Sequence, residues 1–377
     1  MIEKNRYKTP CFLIYKDRFE NNLKDIRENF RDQWKEEVIC GYSCKTNNNI
    51  HMLELAREFG MYAEVVSTNE YHLAKKAGFC EKNIIFNGPF KGEAAIEACY
   101  KGAIVNIDYL QELEDFCNTY YGRYQNYPKK LGLRVNFDLE AKVPGQTSTG
   151  EEDGRFGICY ENGDLNKSME YLKKNNIHLS GLHIHFTTKT RSTDVYRTIA
   201  EMFMEIIEKN QLQLDYIDIG GGYWGGRVME GKPTMKEYAK VITSVLNMEH
   251  KPKLILEPGS ALCSTVMEYM TEVIGIKEIR ESRFVIVDGT SLHINPFQYS
   301  REGQWEIVNE ENLAGREKNK KQILCGATCL ENDRFATIRD YEKLEKGDRV
   351  CFKNTGGYTI SFASEFILEK PDVYVVN

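Results

Sequence analysis

The sequence predicts an α/β protein: a (β/α)8 barrel over residues 25–262, followed by a mostly β domain built from 263–377 together with the N-terminal segment 1–24. Three observations carry this reading. Short apolar runs recur near 38–44, 61–66, 83–86, 103–106, 130–136, 178–185, 214–219 and 252–257, and helix-length amphipathic stretches such as 50–59, 93–100 and 195–209 separate most of them. Eight strands alternating with helices suit a closed parallel barrel; a doubly wound open sheet has the same local pattern, so the count favours the barrel without proving it. After about residue 262 the regular helices stop, and 283–288, 348–353 and 372–376 read as strands without them. Finally, Cys11-Phe12-Leu13-Ile14-Tyr15 precedes the first barrel run and is expected to add a strand to the second sheet. Residues 137–154, with Gly145, Gly150 and Gly154, and residues 299–320 read as long loops.

Composition narrows the class. The 377 residues are 41% hydrophobic and 28% charged, with a net charge of −6. That balance argues against nucleic-acid or anionic-membrane partners, which favour basic faces. No apolar run approaches the roughly 18 residues of a membrane span. The N-terminus, Met1-Ile2-Glu3-Lys4-Asn5-Arg6, lacks the apolar core of a signal peptide. The eleven cysteines are odd in number and contain no CxxC pair, as expected of scattered thiols in a reducing cytoplasm.

Val38-Ile39-Cys40-Gly41-Tyr42-Ser43-Cys44-Lys45 is a β-leaning run that delivers one lysine to a strand's carboxyl end, where barrels place their chemistry. Ile217-Asp218-Ile219-Gly220-Gly221-Gly222 ends another run in three glycines, which let backbone N–H groups approach an anion; a flexible turn is the plainer reading. No complete Walker motif favours a nucleotide fold. Leu254-Ile255-Leu256-Glu257-Pro258-Gly259-Ser260 places a carboxylate at the last barrel strand. Glu257 suits a role beside a pyridine nitrogen, which a negative charge keeps protonated. The plainer alternative pairs it structurally with an arginine such as Arg134. In Gly181-Leu182-His183-Ile184-His185 both histidines share a face and suit ring packing or metal binding. Cys329 followed by Glu331 and Asp333 suits a proton donor in a turn, although most cysteines only pack. Tyr358, presented by Gly356-Gly357, suits a phosphate contact or simple turn packing.

In this order the motifs resemble the alanine-racemase-fold (fold-type III) pyridoxal phosphate (PLP) decarboxylases: the diaminopimelate, ornithine/arginine and carboxynorspermidine decarboxylases. The resemblance runs from Thr9-Pro10-Cys11 through Tyr42-Ser43-Cys44-Lys45-Thr46-Asn47, the HxH, the three glycines and Glu257-Pro258-Gly259. It continues to Val287-Asp288-Gly289, Cys329-Leu330-Glu331-Asn332-Asp333 and Gly356-Gly357-Tyr358-Thr359.

The resemblance implies a PLP Schiff base on Lys45, His185 stacked on the ring and Glu257 at its nitrogen. It implies phosphate binding by Gly220, Gly221, Gly222, Gly259 and Tyr358, with Thr188 and Ser260 beside them. Cys329 from the partner of an obligate homodimer would reprotonate the carbanion left by carbon dioxide. Asn295, Tyr299, Glu331 and Asp333 would meet the amino-acid substrate, Asp333 alternatively supporting its loop. No metal is expected. A racemase, or a PLP protein of the same fold that decarboxylates nothing, is the alternative, and a barrel hydrolase using His183 and His185 a more distant one.

Departures concern the substrate. Ser260 stands where the family usually has an arginine used for phosphate or substrate carboxylate, and the stretch Asp288–Tyr299 lacks the arginine that diaminopimelate enzymes use for the distal carboxylate. Leu330 and Ser300 replace acids that ornithine decarboxylases aim at a distal amine. Glu331 and Arg301 lie one residue away, a step that reverses side-chain direction on an extended chain. These departures predict a substrate other than plain diaminopimelate or ornithine, in polyamine or siderophore synthesis for example.

Overall fold

A computed structural model describes residues 4–294, 304–308 and 310–376. The chain divides into two compact units, Glu20–Leu262 and Met1–Phe19 with Cys263–Asn377.

In chain order the strands begin with β1 (Cys11–Tyr15), β2 (Val38–Ser43), β3 (Tyr62–Val65), β4 (Ile84–Phe86) and β5 (Ile104–Ile107). β6 (Lys130–Asn136), β7 (Ile158–Cys159), β8 (His178–His183), β9 (Tyr216–Asp218) and β10 (Lys253–Leu256) complete the first unit. The sheet runs β2-β3-β4-β5-β6-β8-β9-β10 and closes where β10 pairs with β2, every ladder parallel. The two-residue β7 only extends β6. Each of the eight apolar runs read from the sequence is thus a barrel strand. Their uninterrupted burial, complete over β2, is what helices on the outside and side chains on the inside require.

The barrel floor packs Ile39, Ile85, Tyr216 and Ile255. Tyr216 fits only because two neighbouring strands offer glycine. A Cβ on Gly181 would lie 2.3 Å from its ring, and one on Gly132 would lie 2.0 Å from its hydroxyl. The outer helices start where the sequence supplies caps: Ser192 accepts from Val195 N–H ahead of Thr193–Asn210, and Thr234 with Glu237 forms a capping box ahead of Met235–Val245.

The second unit continues with β11 (Met267–Ile279), β12 (Ser282–Val287), β13 (Trp305–Val308), β14 (Lys318–Asn319) and β15 (Gln322–Cys325). It ends with β16 (Arg334–Ile338), β17 (Tyr341–Glu342), β18 (Arg349–Phe352) and β19 (Asp372–Val376). The order β13-β18-β11-β12-β15-β16 makes the main sheet, and β1 lies between β11 (antiparallel) and β19 (parallel). β14 and β17 form a separate small pair. The 13-residue β11 pairs β1 and β18 along its first half and β12 along its second, with a register break between Val273 and Gly275.

One expectation is corrected here: within 299–320, read as loop, the described residues include the strand β13. Its Glu306 interrupts the apolar run that would have announced it, because that carboxylate accepts from Lys4 at 2.8 Å and pairs with Lys353 at 2.5 Å.

Candidate active site

Every barrel strand brings a polar side chain to its carboxyl end. Lys45 follows β2 in a single 3-10 turn, Cys44–Thr46; Glu64 lies in β3; Asn87 and Asp108 follow β4 and β5 directly; Arg134 lies in β6. His183 and Asp218 end β8 and β9, and Glu257 follows β10. Parallel strands of one barrel end on one rim, so these eight groups converge there.

They are wired together. Lys45 Nζ donates to Glu64 Oε2 at 2.9 Å and to Oε1 at 3.2 Å. Asn87 Nδ2 bridges Glu64 Oε1 (3.2 Å) and Glu257 Oε1 (2.6 Å), while its oxygen accepts from Asn106 Nδ2 at 2.9 Å. Asn106 in turn accepts from the Tyr216 hydroxyl at 2.5 Å, which ties the rim to the floor. Glu257 Oε2 lies 3.6 Å from His183 Nε2, and the His183 and His185 rings are parallel with centroids 6.5 Å apart. The alternative pairing of Glu257 with Arg134 is not seen: Arg134 pairs with Asp108 at 3.3 Å and donates to His185 O at 3.2 Å.

Burial sets the protonation states. Glu257 is pushed well above the usual carboxylate range, first by desolvation and then by the neighbouring Asp218 and Glu64. Desolvation likewise moves Asp218 up to about 7. The His185 ring lies deep in the site although part of the residue is exposed, and burial followed by the Arg134 and Lys45 charges pushes it down to about 3. His185 is therefore a neutral, flat surface, and because its Nδ1 accepts from Gly221 N–H at 3.3 Å, its proton sits on Nε2.

The glycine turn after β9 is held from behind. Gly220 N–H donates to Asp218 Oδ1 at 3.0 Å, Tyr196 OH donates to Gly221 O at 2.8 Å, and Tyr223 OH donates to Gly220 O at 3.2 Å. A Cβ on Gly221 would stand 2.0 Å from the Glu257 carbonyl oxygen, and one on Gly259 would stand 2.5 Å from Thr46 Oγ1. Among the described residues the N–H groups of Gly222, Tyr223 and Gly259 donate to nothing. Two neighbouring turns thus present free donors with no side chain in the way, the arrangement an anion needs.

Thr188 accepts from Arg191 N–H at 3.3 Å, and Arg191 Nη1 reaches Ser260 Oγ at 3.2 Å. The barrel unit therefore brings together Lys45, His185, Thr188, Gly220, Gly221, Gly222, Glu257, Gly259 and Ser260. Cys329, Glu331, Asp333 and Tyr358 belong to the other unit. Cys329 and Tyr358 are exposed there, and Glu331 is fully exposed beside Arg334. Asp333 is buried, with its carboxylate accepting from Ser291 N–H and Oγ and from Thr328 N–H and Oγ1. Asn295 and Tyr299 lie outside the described residues.

The family whose model is described as the pyridoxal binding domain of pyridoxal-dependent decarboxylases matches residues 17–264, and that of the C-terminal sheet domain matches 260–356. This chain belongs to the pyridoxal-dependent decarboxylases. The enzyme is a carboxy-lyase, and its cofactor is PLP. Among curated proteins it is similar to a probable chloroplastic diaminopimelate decarboxylase of Oryza sativa (29% identical, over 98% of this chain and 75% of the relative). It is similar also to diaminopimelate decarboxylase of Aquifex aeolicus (28%, 95% and 84%). Among solved structures, diaminopimelate decarboxylase from M. jannaschii in complex with L-lysine superposes with a TM-score of 0.82 at 23% identity (99% of this chain, 88% of that one). Lysine/ornithine decarboxylase from Vibrio vulnificus with putrescine gives 0.77 at 20% (99% and 96%), which speaks for the shared fold. The expectation that diaminopimelate is not the substrate draws no support from the relatives' names.

The residues present fit the cofactor. Among the described residues Glu257 and Asp218 are buried acids with no arginine beside them, so a protonated ring nitrogen would supply the charge that lets Glu257 ionise. Asp218 Oδ2 and Thr46 Oγ1 are buried without a hydrogen bond among the described residues, and the glycine turns supply the anion cradle. Glu64, Asn87 and Asp218 were missed in the sequence. Glu64 and Asp218 are single acids inside apolar runs, and Asn87 directly follows one. Of the two histidines, His183 groups with Asp218 and Glu257, whereas His185 joins no such cluster among the described residues.

Proposed function

We propose that the enzyme removes the α-carboxyl group of an amino acid at the barrel rim, with Lys45 bonded to the cofactor, and that Cys329 of a second copy completes the site. The Lys45–Glu64–Asn87–Glu257 chain carries this reading, because it joins the attachment lysine to the acid meant for the ring nitrogen. When bound, PLP supplies the electron sink for the carbanion that carbon dioxide loss leaves behind.

The protein's part is placement. His185 offers a neutral face for the ring, while Glu257, fixed by Asn87, holds the proton at the ring nitrogen. Gly220, Gly221, Gly222 and Gly259, with Thr188, Ser260 and Tyr358, take the phosphate. Before the cofactor is attached, Glu64 accepts from Lys45 and holds its ammonium at the rim. The Cys329 thiol gives its proton to the carbon that lost the carboxyl group, and the buried Asp333 carboxylate holds the neighbouring turn in shape. A homodimer follows from this division of labour, and the eleven free cysteines suit a reducing cytoplasm.

Diaminopimelate, the substrate in the relatives' names, heads the panel. The residues around 288–300 argue for a different distal group, so ornithine, lysine and carboxylated polyamines join it. The test is carbon dioxide release by PLP-loaded enzyme across that panel, with Lys45→Ala and Cys329→Ala alongside. Borohydride fixing PLP to Lys45, loss of turnover in Lys45→Ala and slowed product protonation in Cys329→Ala are expected. Full turnover by Lys45→Ala supplied with PLP would sink the proposal.

A further inference from the structure

We infer that Arg191 is a phosphate-binding residue for the cofactor, taking from a different loop the place of the arginine absent at position 260. The inference rests on the phosphate cradle proposed above. Arg191 lies past β8, on the turn begun by Thr188, and its backbone is left-handed (φ 51). That unusual conformation is locked from both sides: Thr188 Oγ1 accepts from its N–H, and its carbonyl accepts from the Tyr238 hydroxyl at 2.5 Å. Trp224 Nε1 ties down the preceding residue, donating to Thr190 O at 3.0 Å, and the Trp224 ring lies under the guanidinium with 4.5 Å between carbon and centroid. A bulky side chain held in αL geometry by this many contacts marks a position whose direction matters.

The guanidinium is aimed at the two turns that form the cradle. Nη1 reaches Ser260 Oγ in the turn after Glu257 at 3.2 Å and the Tyr223 carbonyl in the turn after β9 at 3.4 Å. Both contacts are long and both acceptors neutral. No carboxylate pairs with Arg191 among the described residues, and a half-buried guanidinium with five donors is poorly served by two such oxygens. A phosphate seated on the free N–H groups of Gly222, Tyr223 and Gly259 supplies the missing charge. Ser260 fits the same account: an arginine there would crowd Arg191, whereas a serine hydroxyl accepts from it and leaves its own proton for the anion.

Equilibrium dialysis of the full-length protein against PLP, and separately against pyridoxal, tests this. The variants are Arg191→Gln, Arg191→Lys and the double variant Arg191→Gln/Ser260→Arg, and phosphorus NMR of the PLP-loaded forms runs beside them. Losing a charged hydrogen-bond donor corresponds to a roughly 10- to 100-fold weaker Kd for PLP in Arg191→Gln, with a smaller loss in Arg191→Lys. Pyridoxal, which lacks the phosphate, is bound as by the parent, Ser260→Arg restores most of the PLP affinity, and the phosphorus resonance moves in Arg191→Gln. Unchanged PLP affinity in Arg191→Gln overturns the inference. So does an equal loss for PLP and pyridoxal, which makes Arg191 merely a loop brace. Failure of the parent protein to discriminate PLP from pyridoxal refutes the cradle itself, a result distinct from either.

Discussion

Replacing Asn87 by leucine breaks the centre of the rim network while keeping a branched side chain that leaves no room for water. Three hydrogen bonds disappear: those to Glu257 and Glu64, and the one accepted from Asn106. Glu64 keeps Lys45, but one Glu257 oxygen and the Asn106 amide, both buried, lose partners they cannot replace. Each stranded group costs about 1–3 kcal/mol, so the substitution is expected to destabilise the protein by about 2–6 kcal/mol, a large share of a typical total of about 5–15. Urea unfolding of the PLP-loaded enzyme, followed by circular dichroism, measures this, with the slope checked for a change of unfolding mechanism. Adding Glu257→Leu removes one of the two stranded groups, and the double variant then costs at least about 1 kcal/mol less than the sum of the singles. A shift below about 1 kcal/mol for Asn87→Leu, or strict additivity, refutes the claim that this asparagine holds Glu257.

Other consequences are as direct. Gly221→Ala drives a Cβ to 2.0 Å from a backbone oxygen that cannot rotate away, so it should cost about 1–3 kcal/mol and weaken PLP retention measured by dialysis. Gly122→Ala, inside helix Leu110–Tyr124 with nothing within 4 Å of the new methyl, should instead stabilise by roughly 0.5–1 kcal/mol in the same urea assay. In the second unit, burial works against the Glu268 charge, but Lys4 and Tyr15 outweigh it and hold the carboxyl down at about 2. A depressed carboxyl contributes stability above its unfolded value near 4.5 that is lost as pH falls toward 2. Thermal midpoints should therefore fall over that window, and Glu268→Gln should flatten the slope. Asp333→Ala strands four donors on the turns around Ser291 and Thr328, and should lower kcat while leaving the PLP Kd within about twofold, a split that single-turnover kinetics and dialysis read separately.

The barrel was legible because its strands are apolar throughout and its helices carry a different period. β13 was not, because Glu306 spends its charge on Lys4 and Lys353, partners far away in sequence. Lys45, His185, Glu257 and the glycines stood out as motifs that chemistry would explain. Glu64, Asn87 and Asp218 did not, since a single acid or amide in or just after an apolar run is common in any strand. Only closure of the barrel turns eight such endings into one cluster. Arg191 was invisible for a related reason: Ser260 announces a missing arginine, but nothing in the sequence says that a loop 69 positions earlier supplies one.

The place of β1 carries a consequence for how the chain is made. Its five residues, all buried, are bordered by β11 on one side and by β19, which ends at Val376, on the other. β1 is therefore made long before either of its neighbours. At roughly 5–20 residues per second, β11 follows after about ten seconds to a minute, and β19 later still. Throughout that interval Cys11-Phe12-Leu13-Ile14-Tyr15 is an apolar segment with two open edges, the kind that recruits strands from other chains. Removing β19 would leave one of those edges open for good, so a chain lacking Asp372–Val376 should aggregate even though its barrel is complete.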